Sequence, residues 1–574
     1  MPRTFLLSLT VCTGLVSCQR TPAPPPPPTA EVTTVPTHSH VFSAEITSAD
    51  VAELLKSFTS KVSEDSAPNS NGEEKTINYL RDQMLRIGLQ PGNGDSWFQT
   101  VPMIETITDP TSTPALHTAD QSHALTFGRD ILLGTRTAQP TVKLHNSELV
   151  FVGYGVDAPE QQWNDYANQN WKGKTVVILI NTPNFHNGNA KLASAKRMTY
   201  YGYWTYKFEE AARKGAAAAL IVHDNMATTY HWDALQKYWS GPRYDLPNAD
   251  DSESRLQVQG WISQQTAHQL FANAGLDLNK AYRDASKHGF KPISLKANWS
   301  VDLKSTITQK TSHNVIGVLP GSQQADEAVI YTTHWDHLDT QTDNISNNHT
   351  MIAGNAIGVT GILEIADAFT HQRPRPERSV VFLATAFKAS DMPGSKYYVQ
   401  HPSFPLDKIA GVINLDTMSV TNRTRDLTVI GFGSSQLEDI LKPVAALQGR
   451  TLHGETSTQN DTYFRSDHIN FAKAGVPALY IHRGESLRNN STFTGGHTIN
   501  QNDAQQRYQP NNIDNQATWT LDGTVDDLQA LYEVGRALTI SGQWPNWYEG
   551  QPFKATRDHM MATKPTLMSN TAEQ

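Results

Sequence analysis

The sequence predicts an α/β protein whose mixed, mostly parallel sheet is flanked by helices and interrupted by an inserted β-rich unit. From Asn314 onward, apolar strands alternate with amphipathic helices, a pattern typical of a largely parallel sheet with both faces covered. Upstream, short apolar runs between residues 148 and 222 are punctuated by glycines, which indicates a small β-rich unit.

The chain is longer than one hydrophobic core supports. It has 574 residues, of which 38% are hydrophobic, whereas a domain usually has about 150 residues, so two or three compact units are expected. Its 47 basic and 56 acidic residues give a net charge of -9, and no Lys/Arg stripe is concentrated enough to follow a phosphate backbone. We therefore expect no nucleic-acid partner.

The N-terminus has the features of an export signal. Arg3 precedes an apolar run at residues 5–16, and the tetrapeptide Leu15-Val16-Ser17-Cys18 follows the form of a bacterial lipobox, which it resembles. The resemblance implies a signal peptide at 1–17 and lipidation of Cys18, whereas a plain secretory peptide with a chance cysteine is the alternative. We expect an exported protein that is lipid-anchored to the bacterial envelope, at the outer membrane facing the periplasm or the surface.

Both cysteines, Cys12 and Cys18, lie in this segment, so the mature protein has no thiol for a disulfide, a metal or a nucleophile. The proline-rich residues 18–40 are predicted to form a stiff linker. No later segment has the roughly 18 uninterrupted apolar residues that a membrane span needs. Membrane attachment is thus expected through the lipid anchor.

Residues 41–140 are predicted to be the first part of the main domain. They contain two amphipathic helices, at 48–60 and at 71–87, and Gly88 ends the second. The main domain is expected to resume over 291–555.

The insert is predicted at residues 141–290. In it, an amphipathic helix at 206–214 separates the apolar runs 176–180 and 219–222, so the three are expected to form a strand–helix–strand crossover. Residues 556–574 show no clear periodicity and are expected to be a loosely ordered tail.

Polar residues follow three predicted strands of the main domain. His334 and Asp336 come after one strand, Lys388 after the next and Asp416 after a third. Ligands of parallel sheets bind at the carboxyl ends of strands, so this edge is the expected site. His334 and Asp336 suit a metal-binding imidazole and the carboxylate that orients it, although a hydrogen-bonded corner of the chain is the alternative for this pair alone.

Several segments together resemble metallopeptidase family 28, the bacterial zinc aminopeptidases whose relatives include the transferrin receptor. The matching segments are His334-Trp335-Asp336-His337, Asn355-Ala356-Ile357-Gly358, Gly394-Ser395-Lys396, Ile413-Asn414-Leu415-Asp416 and Arg465-Ser466-Asp467-His468. The middle unit, with Gly153-Tyr154-Gly155 and Lys172-Gly173-Lys174, is similar to the protease-associated insert of the same proteins. The resemblance covers roughly residues 45–550 and implies the zinc-aminopeptidase fold.

The family holds two zinc ions with a bridging Asp, a Glu-Glu pair that includes the general base, and further His and Asp ligands. By the resemblance, His334 and Asp416 are retained metal ligands, and Asp336 is the orienting carboxylate. The other positions have changed: Gly354 replaces the bridging Asp, Lys388 and Ala389 replace the Glu-Glu pair, and Gln509 replaces the final His. Lys388 thus stands at the general-base position, and no intact catalytic residue is expected.

These replacements change the expected function. An ammonium within a few Å of Asp416 repels a cation and pairs with the carboxylate. We therefore expect no zinc, or one weakly bound ion. The sequence indicates a catalytically inactive homologue that binds a peptide or protein in the former active-site cleft, by analogy with the transferrin receptor and nicastrin.

Two enzymatic alternatives stay open. One is an active zinc aminopeptidase that removes N-terminal residues at a non-standard or mononuclear site, with His337 or His497 helping His334 and Asp416. Asp391, the nearest carboxylate to Lys388, is instead expected to be a turn residue.

The other alternative is a nucleophilic relay of Ser466, Asp467 and His468. Three neighbours in sequence rarely converge on one substrate, so Asp467 and His468 are interpreted as structural. The aromatic residues 200–206 are likewise predicted to pack between insert and main domain, with ligand contact as their alternative.

Overall fold

The structure is a computed structural model, and all the residues it describes belong to one compact unit, Ser39–Gln574. The described residues are 45–61, 68, 70–118, 121–183, 185, 199–228, 230–336, 348–388, 391–418, 422–455, 461–488, 521–540 and 542–562. The predicted signal peptide, Cys18 and the linker lie outside these residues. In the described ranges, the helices all lack the combination of length and apolar character that crossing a bilayer requires.

The helices and strands include those that the sequence predicts, in the predicted order. The described helices are α1 (Ser48–Lys61), α2 (Asn71–Ile87), α3 (Trp204–Arg213), α4 (Trp232–Ser240), α5 (Gln264–Asn273), α6 (Leu278–Ala285), α7 (Asn348–His371), α8 (Pro393–Gln400), α9 (Leu437–Leu447), α10 (His468–Lys473), α11 (Asp522–Ile540) and α12 (Lys554–Ala562). The ends of α2 illustrate the local signals that set helix limits. The Ser70 side chain caps the helix by accepting a hydrogen bond from the Glu73 N–H, and Gly88 ends it at a φ of 92°.

The strands form two sheets. They are β1 (Gln90–Pro91), β2 (Phe98–Thr108), β3 (Ala115–Thr118), β4 (Ser122–Ala124), β5 (Ile131–Gly134), β6 (Thr141–Phe151), β7 (Asp157–Ala158), β8 (Trp163–Asn164), β9 (Thr175–Leu179), β10 (Ala218–Val222), β11 (Arg243–Asp245), β12 (Val258–Ile262), β13 (Ile293–Leu319), β14 (Gln324–His334), β15 (Arg378–Thr385), β16 (Ile409–Asn414), β17 (Asp426–Val429), β18 (Thr451–Gly454) and β19 (Ala478–Arg483). Only the small hairpin of β7 and β8 lies outside both sheets among the described strands.

The main sheet has the predicted mixed, mostly parallel centre. Its strands lie in the order β11-β2-β13-β15-β14-β16-β19-β17-β18, and the short β1 pairs antiparallel with the end of β13. Strands β15, β14, β16 and β19 are mutually parallel, so their carboxyl ends meet at one edge.

Both faces of the main sheet are covered, because neighbouring residues of its strands enter different cores. Val315, Val329 and Tyr331 pack with α1, α2, α7 and α11 on one face. Ile316 and Ile330 pack on the other face with residues of α8 and α10. The predicted fold class, an α/β protein with helices on both faces of the sheet, is therefore confirmed.

The second sheet has the order β4-β3-β13-β6-β9-β10-β12-β5. Strands β9 and β10 pair in parallel through α3, as the predicted crossover requires. The limits of this sheet differ from the expected limits of the insert, 141 and 290. Its first strand begins at Ala115, and its last strand is the first half of β13. The reason is that β13 is one continuous strand, which pairs with β6 in its first half and with β2 and β15 in its second half.

The tail is ordered further than the sequence indicated. Residues up to Ala562 form α12, which contradicts a loosely ordered segment beginning at 556. Arg557 explains the difference: it is fully buried, and its Nη2 donates to the Ile409 carbonyl of the main sheet at 3.1 Å. The rest of the expected tail lies outside the described residues.

Candidate functional site

The polar residues that follow β14, β15 and β16 meet at the carboxyl edge of the main sheet. His334 is the last residue of β14 and pairs in register with Thr385 of β15. Asp416 lies two residues beyond the last residue of β16, whose Asn414 is in register with Thr332. The structure thus brings His334, Lys388 and Asp416 together, as the sequence indicated.

Asp416 is the centre of this cluster. Its Oδ1 accepts from the Lys388 Nζ at 2.5 Å, from the Thr417 hydroxyl at 2.8 Å and from the His334 Nε2 at 3.2 Å. Its Oδ2 accepts from the Ser466 hydroxyl. The carboxylate side chain is 1% exposed, and although burial favours the neutral acid, Lys388 and His334 hold the pKa of Asp416 well below its usual range.

His334 is hydrogen-bonded through both ring nitrogens. Nδ1 lies 3.0 Å from the Asp336 carbonyl oxygen and 3.5 Å from its carboxylate, and Nε2 faces Asp416. Burial and the Lys388 ammonium lower the pKa of His334, but Asp416 and Asp336 outweigh them and raise it to about 9. The ring is therefore an imidazolium that donates on both sides at neutral pH.

Strained backbone lies on either side of the ion pair. Phe387, which precedes Lys388, has a φ of 63°, and Thr417, which follows Asp416, has a φ of 50°. Such conformations cost about 1–3 kcal/mol each for residues other than glycine, and they are common at functional sites. The ring of Phe387 is held by Tyr244 of β11 at 4.7 Å between centroids, and the Lys388 N–H donates to the Asp336 carboxylate at 3.3 Å.

The sequence did not predict the contacts that several polar residues make at this edge. Thr417 and Ser466 bind Asp416 directly, and Asn414 donates from Nδ2 to the Ser466 hydroxyl at 2.8 Å. His482, at the end of β19, contacts the Tyr480 hydroxyl at 2.7 Å, and burial is the main cause that lowers the pKa of this histidine to about 4. The position of His482 at the end of a parallel strand was the signal that could have identified it.

The tripeptide Ser466-Asp467-His468 does not form a relay in this geometry. The Ser466 hydroxyl donates to Asp416, while the His468 ring packs edge-on against Tyr463 at 4.6 Å. Both Asp467 and His468 are fully buried, and burial raises the pKa of Asp467 to about 6 and lowers that of His468 to about 3. Both side chains are therefore placed as interior residues.

The described residues at this edge do not by themselves form a zinc ligand set. The described ranges hold no group of three or more His, Cys, Asp or Glu side chains placed to share a metal ion. Both oxygens of Asp416 already accept from protein donors, one of them an ammonium. Gly354 lies in the helix α7. Ala389, Gln509, His337 and His497 lie outside the described residues.

The aromatic residues of the insert pack against the main domain. Tyr203 stacks on Phe464 with 5.4 Å between ring centroids, and Tyr200 lies 5.1 Å from Phe553. Asp391 has a φ of 59° in the turn before α8, and it lines two pockets between insert and main domain. These contacts agree with the interface interpretation of residues 200–206.

Comparison with known proteins relates part of the main domain to one family. Residues 314–529 match the family model described as Peptidase family M28. No curated protein matches the sequence.

Solved structures of similar proteins include three bacterial hydrolases. An aminopeptidase from Aneurinibacillus sp. strain AM-1 has 17% identity and a TM-score of 0.44, over 85% of this chain and 93% of that one. The zinc aminopeptidase BSAP from Bacillus subtilis has 16% identity and a TM-score of 0.36, over 88% and 96%. A peptidase M28 precursor from Shewanella amazonensis SB2B has 15% identity and a TM-score of 0.34, over 86% and 92%. At these values the similarity carries no argument about chemistry.

Proposed function

Since residues 314–529 match the model of Peptidase family M28, we propose that this chain is a catalytically inactive member of that family and binds a peptide or protein ligand at the carboxyl edge of its main sheet. The proposal includes export and anchoring to the bacterial envelope through a lipid on Cys18. We infer inactivity and ligand binding from the donor groups at the edge.

One observation carries the proposal: the Lys388 Nζ lies 2.5 Å from Asp416 Oδ1. An ammonium at that position supplies the positive charge that the carboxylate needs, and it repels a second cation. A metal ion shared by Asp416 and His334 would have to displace this ammonium and replace the proton on His334 Nε2, and both of these groups face the same carboxylate oxygen.

At the position where the resemblance puts the general base, the described chain has Lys388. An ammonium has three donors and no lone pair, so Lys388 cannot accept a proton from water while it is paired with Asp416. Asp416 itself is fully engaged by four donors. These groups suit binding better than they suit activation of water.

The ligand is proposed from the donors that remain accessible. Lys388 keeps 27% of its side-chain surface exposed, so its ammonium is within reach of an acceptor that enters the cleft. A carboxylate or another anionic group of a peptide is favoured there over the free amino group that an aminopeptidase holds. Loss of peptide binding in Lys388→Ala supports this proposal, and unchanged binding of every peptide in a panel contradicts it.

The decisive experiment measures zinc content and peptidase activity together. The purified protein is analysed for metal after incubation with zinc and desalting, and assayed on a panel of aminoacyl chromogenic substrates with and without chelator. We expect well below one zinc per chain and no chelator-sensitive turnover. Two tightly held zinc ions with turnover would instead make the chain an active aminopeptidase.

A matched variant tests whether the replaced residues are the cause. The triple change Gly354→Asp, Lys388→Glu and Ala389→Glu restores the carboxylates that the family resemblance predicts at those positions. We expect the triple variant to retain more zinc than the wild type after desalting. Equal zinc contents of the two proteins would contradict the role given to Lys388.

The lipid anchor has a separate test. The full-length chain is expressed in a bacterial host with a radiolabelled fatty acid, beside the variant Cys18→Ala. We expect label and membrane fractionation in the wild type only. Labelling of both proteins, or of neither, would contradict lipidation at Cys18.

A further inference from the structure

Arg243, in β11 at the junction of insert and main sheet, is a buried cation that forms no ion pair with any of the described residues. Its exposure is 7%, and its Nε and Nη2 have no hydrogen-bond partner in the described part of the chain. Guanidinium stays charged at every pH at which the protein folds. A buried charge without a partner is costly, so the environment of Arg243 is incomplete as it stands.

The guanidinium is held rigidly in place. One face lies over the ring of Trp239, with 4.4 Å between Arg243 Cζ and the ring centroid. The backbone of Gly134 is so close that a Cβ at that position would overlap the guanidinium group. The side chain is therefore held in one conformation, unlike a flexible arginine on the surface.

The Arg243 side chain lines a small pocket. The pocket has a volume of about 10 Å³, close to what one water-sized particle needs. Gln259, which is 5% exposed, and Tyr238 contribute to its wall.

The carboxylates around the pocket do not complete the site. Asp245 is bound by Arg136, whose Nε lies 2.6 Å from its Oδ1. The charge of Asp391 favours the charged form of Arg243 and so raises its pKa, but the two residues do not form an ion pair among the described contacts. Burial is the largest influence on the pKa of Arg243 and lowers it, against the opposing influence of Tyr238, Asp245 and Asp391. The positive charge is thus only partly compensated.

We propose that the pocket beside Arg243 is a binding site for one small monovalent anion of the size of chloride. The anion accepts hydrogen bonds from the guanidinium group and lies between insert and main sheet. This site is separate from the Lys388–Asp416 pair and goes beyond the proposed function, because it does not depend on whether the carboxyl edge is catalytic.

The direct test uses bromide as the probe. Crystals of the full protein grown or soaked in sodium bromide are measured near the bromine absorption edge. We expect an anomalous peak at hydrogen-bond distance from the Arg243 guanidinium. Density without an anomalous peak would identify a water molecule and overturn the proposal.

The second test measures thermal unfolding at constant ionic strength while chloride replaces acetate. Above the dissociation constant, each tenfold rise in chloride is expected to raise the folding equilibrium constant by up to tenfold. Arg243→Gln should abolish this dependence, whereas the control Arg213→Gln, whose side chain is 45% exposed and bound to Glu210, should keep it. Equal stability in both salts for the wild type contradicts the proposal even if Arg243→Gln does not fold. Stabilisation by acetate alone would assign the pocket to a carboxylate and overturn the chloride-sized site.

Discussion

The Lys388 Nζ and the Asp416 Oδ1 lie 2.5 Å apart at the ends of two different strands of the main sheet. Asp416 is 1% exposed, and Lys388 27%. The pair therefore joins a buried anion to a cation whose side chain is partly exposed. Removal of the cation leaves a buried carboxylate whose remaining charged donor is His334.

Lys388→Met is expected to lower the free energy of unfolding by about 2 kcal/mol. Breaking a buried pair typically costs about 3–5 kcal/mol, and the partial exposure of Lys388 and the remaining donors to Asp416 reduce that figure. Urea unfolding followed by circular dichroism measures the change. Lys172→Met, at an exposed position in the insert, is the control and should change stability by less than about 0.5 kcal/mol. Equal effects of the two variants would contradict the importance of the pair.

Asp391→Asn is expected to have a more favourable effect on stability, relative to the wild type, at pH 7 than at pH 4. Burial is the main cause that raises the pKa of Asp391 to about 6, from 3.8. A raised carboxyl pKa contributes stability that is fully present below about 3.8 and is lost as the pH rises through about 6. The difference in unfolding free energy, variant minus wild type, should therefore rise by about 1–3 kcal/mol between pH 4 and pH 7. A difference that is constant with pH would show that Asp391 ionises normally.

Lys396→Met is expected to loosen the insert from the main domain. From α8, the Lys396 Nζ binds Asp251 at 2.9 Å and Glu253 at 2.7 Å in the insert, and its side chain is 13% exposed. We expect a loss of about 3 kcal/mol and faster hydrogen exchange at residues 251–255. The control Lys408→Met breaks a pair with Asp326, which is 71% exposed, and should cost at most about 1 kcal/mol. Unchanged hydrogen exchange in Lys396→Met would show that this contact does not hold the insert against the main domain.

Gly535→Ala is expected to destabilise the protein by about 1–3 kcal/mol through overpacking. A Cβ at this position of α11 would overlap the Tyr331 hydroxyl, which donates to the Leu531 carbonyl at 2.8 Å. Unfolding of Gly535→Ala, Tyr331→Phe and the double variant gives the coupling between the two positions. The alanine should cost at least about 0.5 kcal/mol less in the phenylalanine background. Additive effects would place the two residues out of contact.

The sequence predicted the order of elements well, because the apolar period and the capping residues are local signals. The helix α2 follows its Ser70 cap and Gly88 terminus, and the parallel strands β14, β15 and β16 contain the apolar runs that indicated them. The limits of the insert were less predictable. Strand β13 belongs to both sheets and is continuous between them. Because the chain stays extended there, the sequence gives no signal of where one sheet ends and the other begins.

The candidate site was predicted in part. His334, Lys388 and Asp416 were placed at strand ends, and the structure brings them into contact. Ser466 and His482 were not predicted as part of the cluster. Ser466 comes from the segment before α10, which is distant in sequence, so only the packing of that segment against β16 places its hydroxyl on Asp416.

The sequence by itself determined the fold class, the strand-end residues and the ammonium at position 388, because each of these depends on local pattern or on residue type. Only the tertiary structure decided how the charges combine. Asp416 gathers donors from three separate segments, and Arg243 is enclosed by Gly134 and Trp239 without a carboxylate partner in the described residues. Burial and distance set the energy of a charge, and both depend on which distant segments the fold brings together.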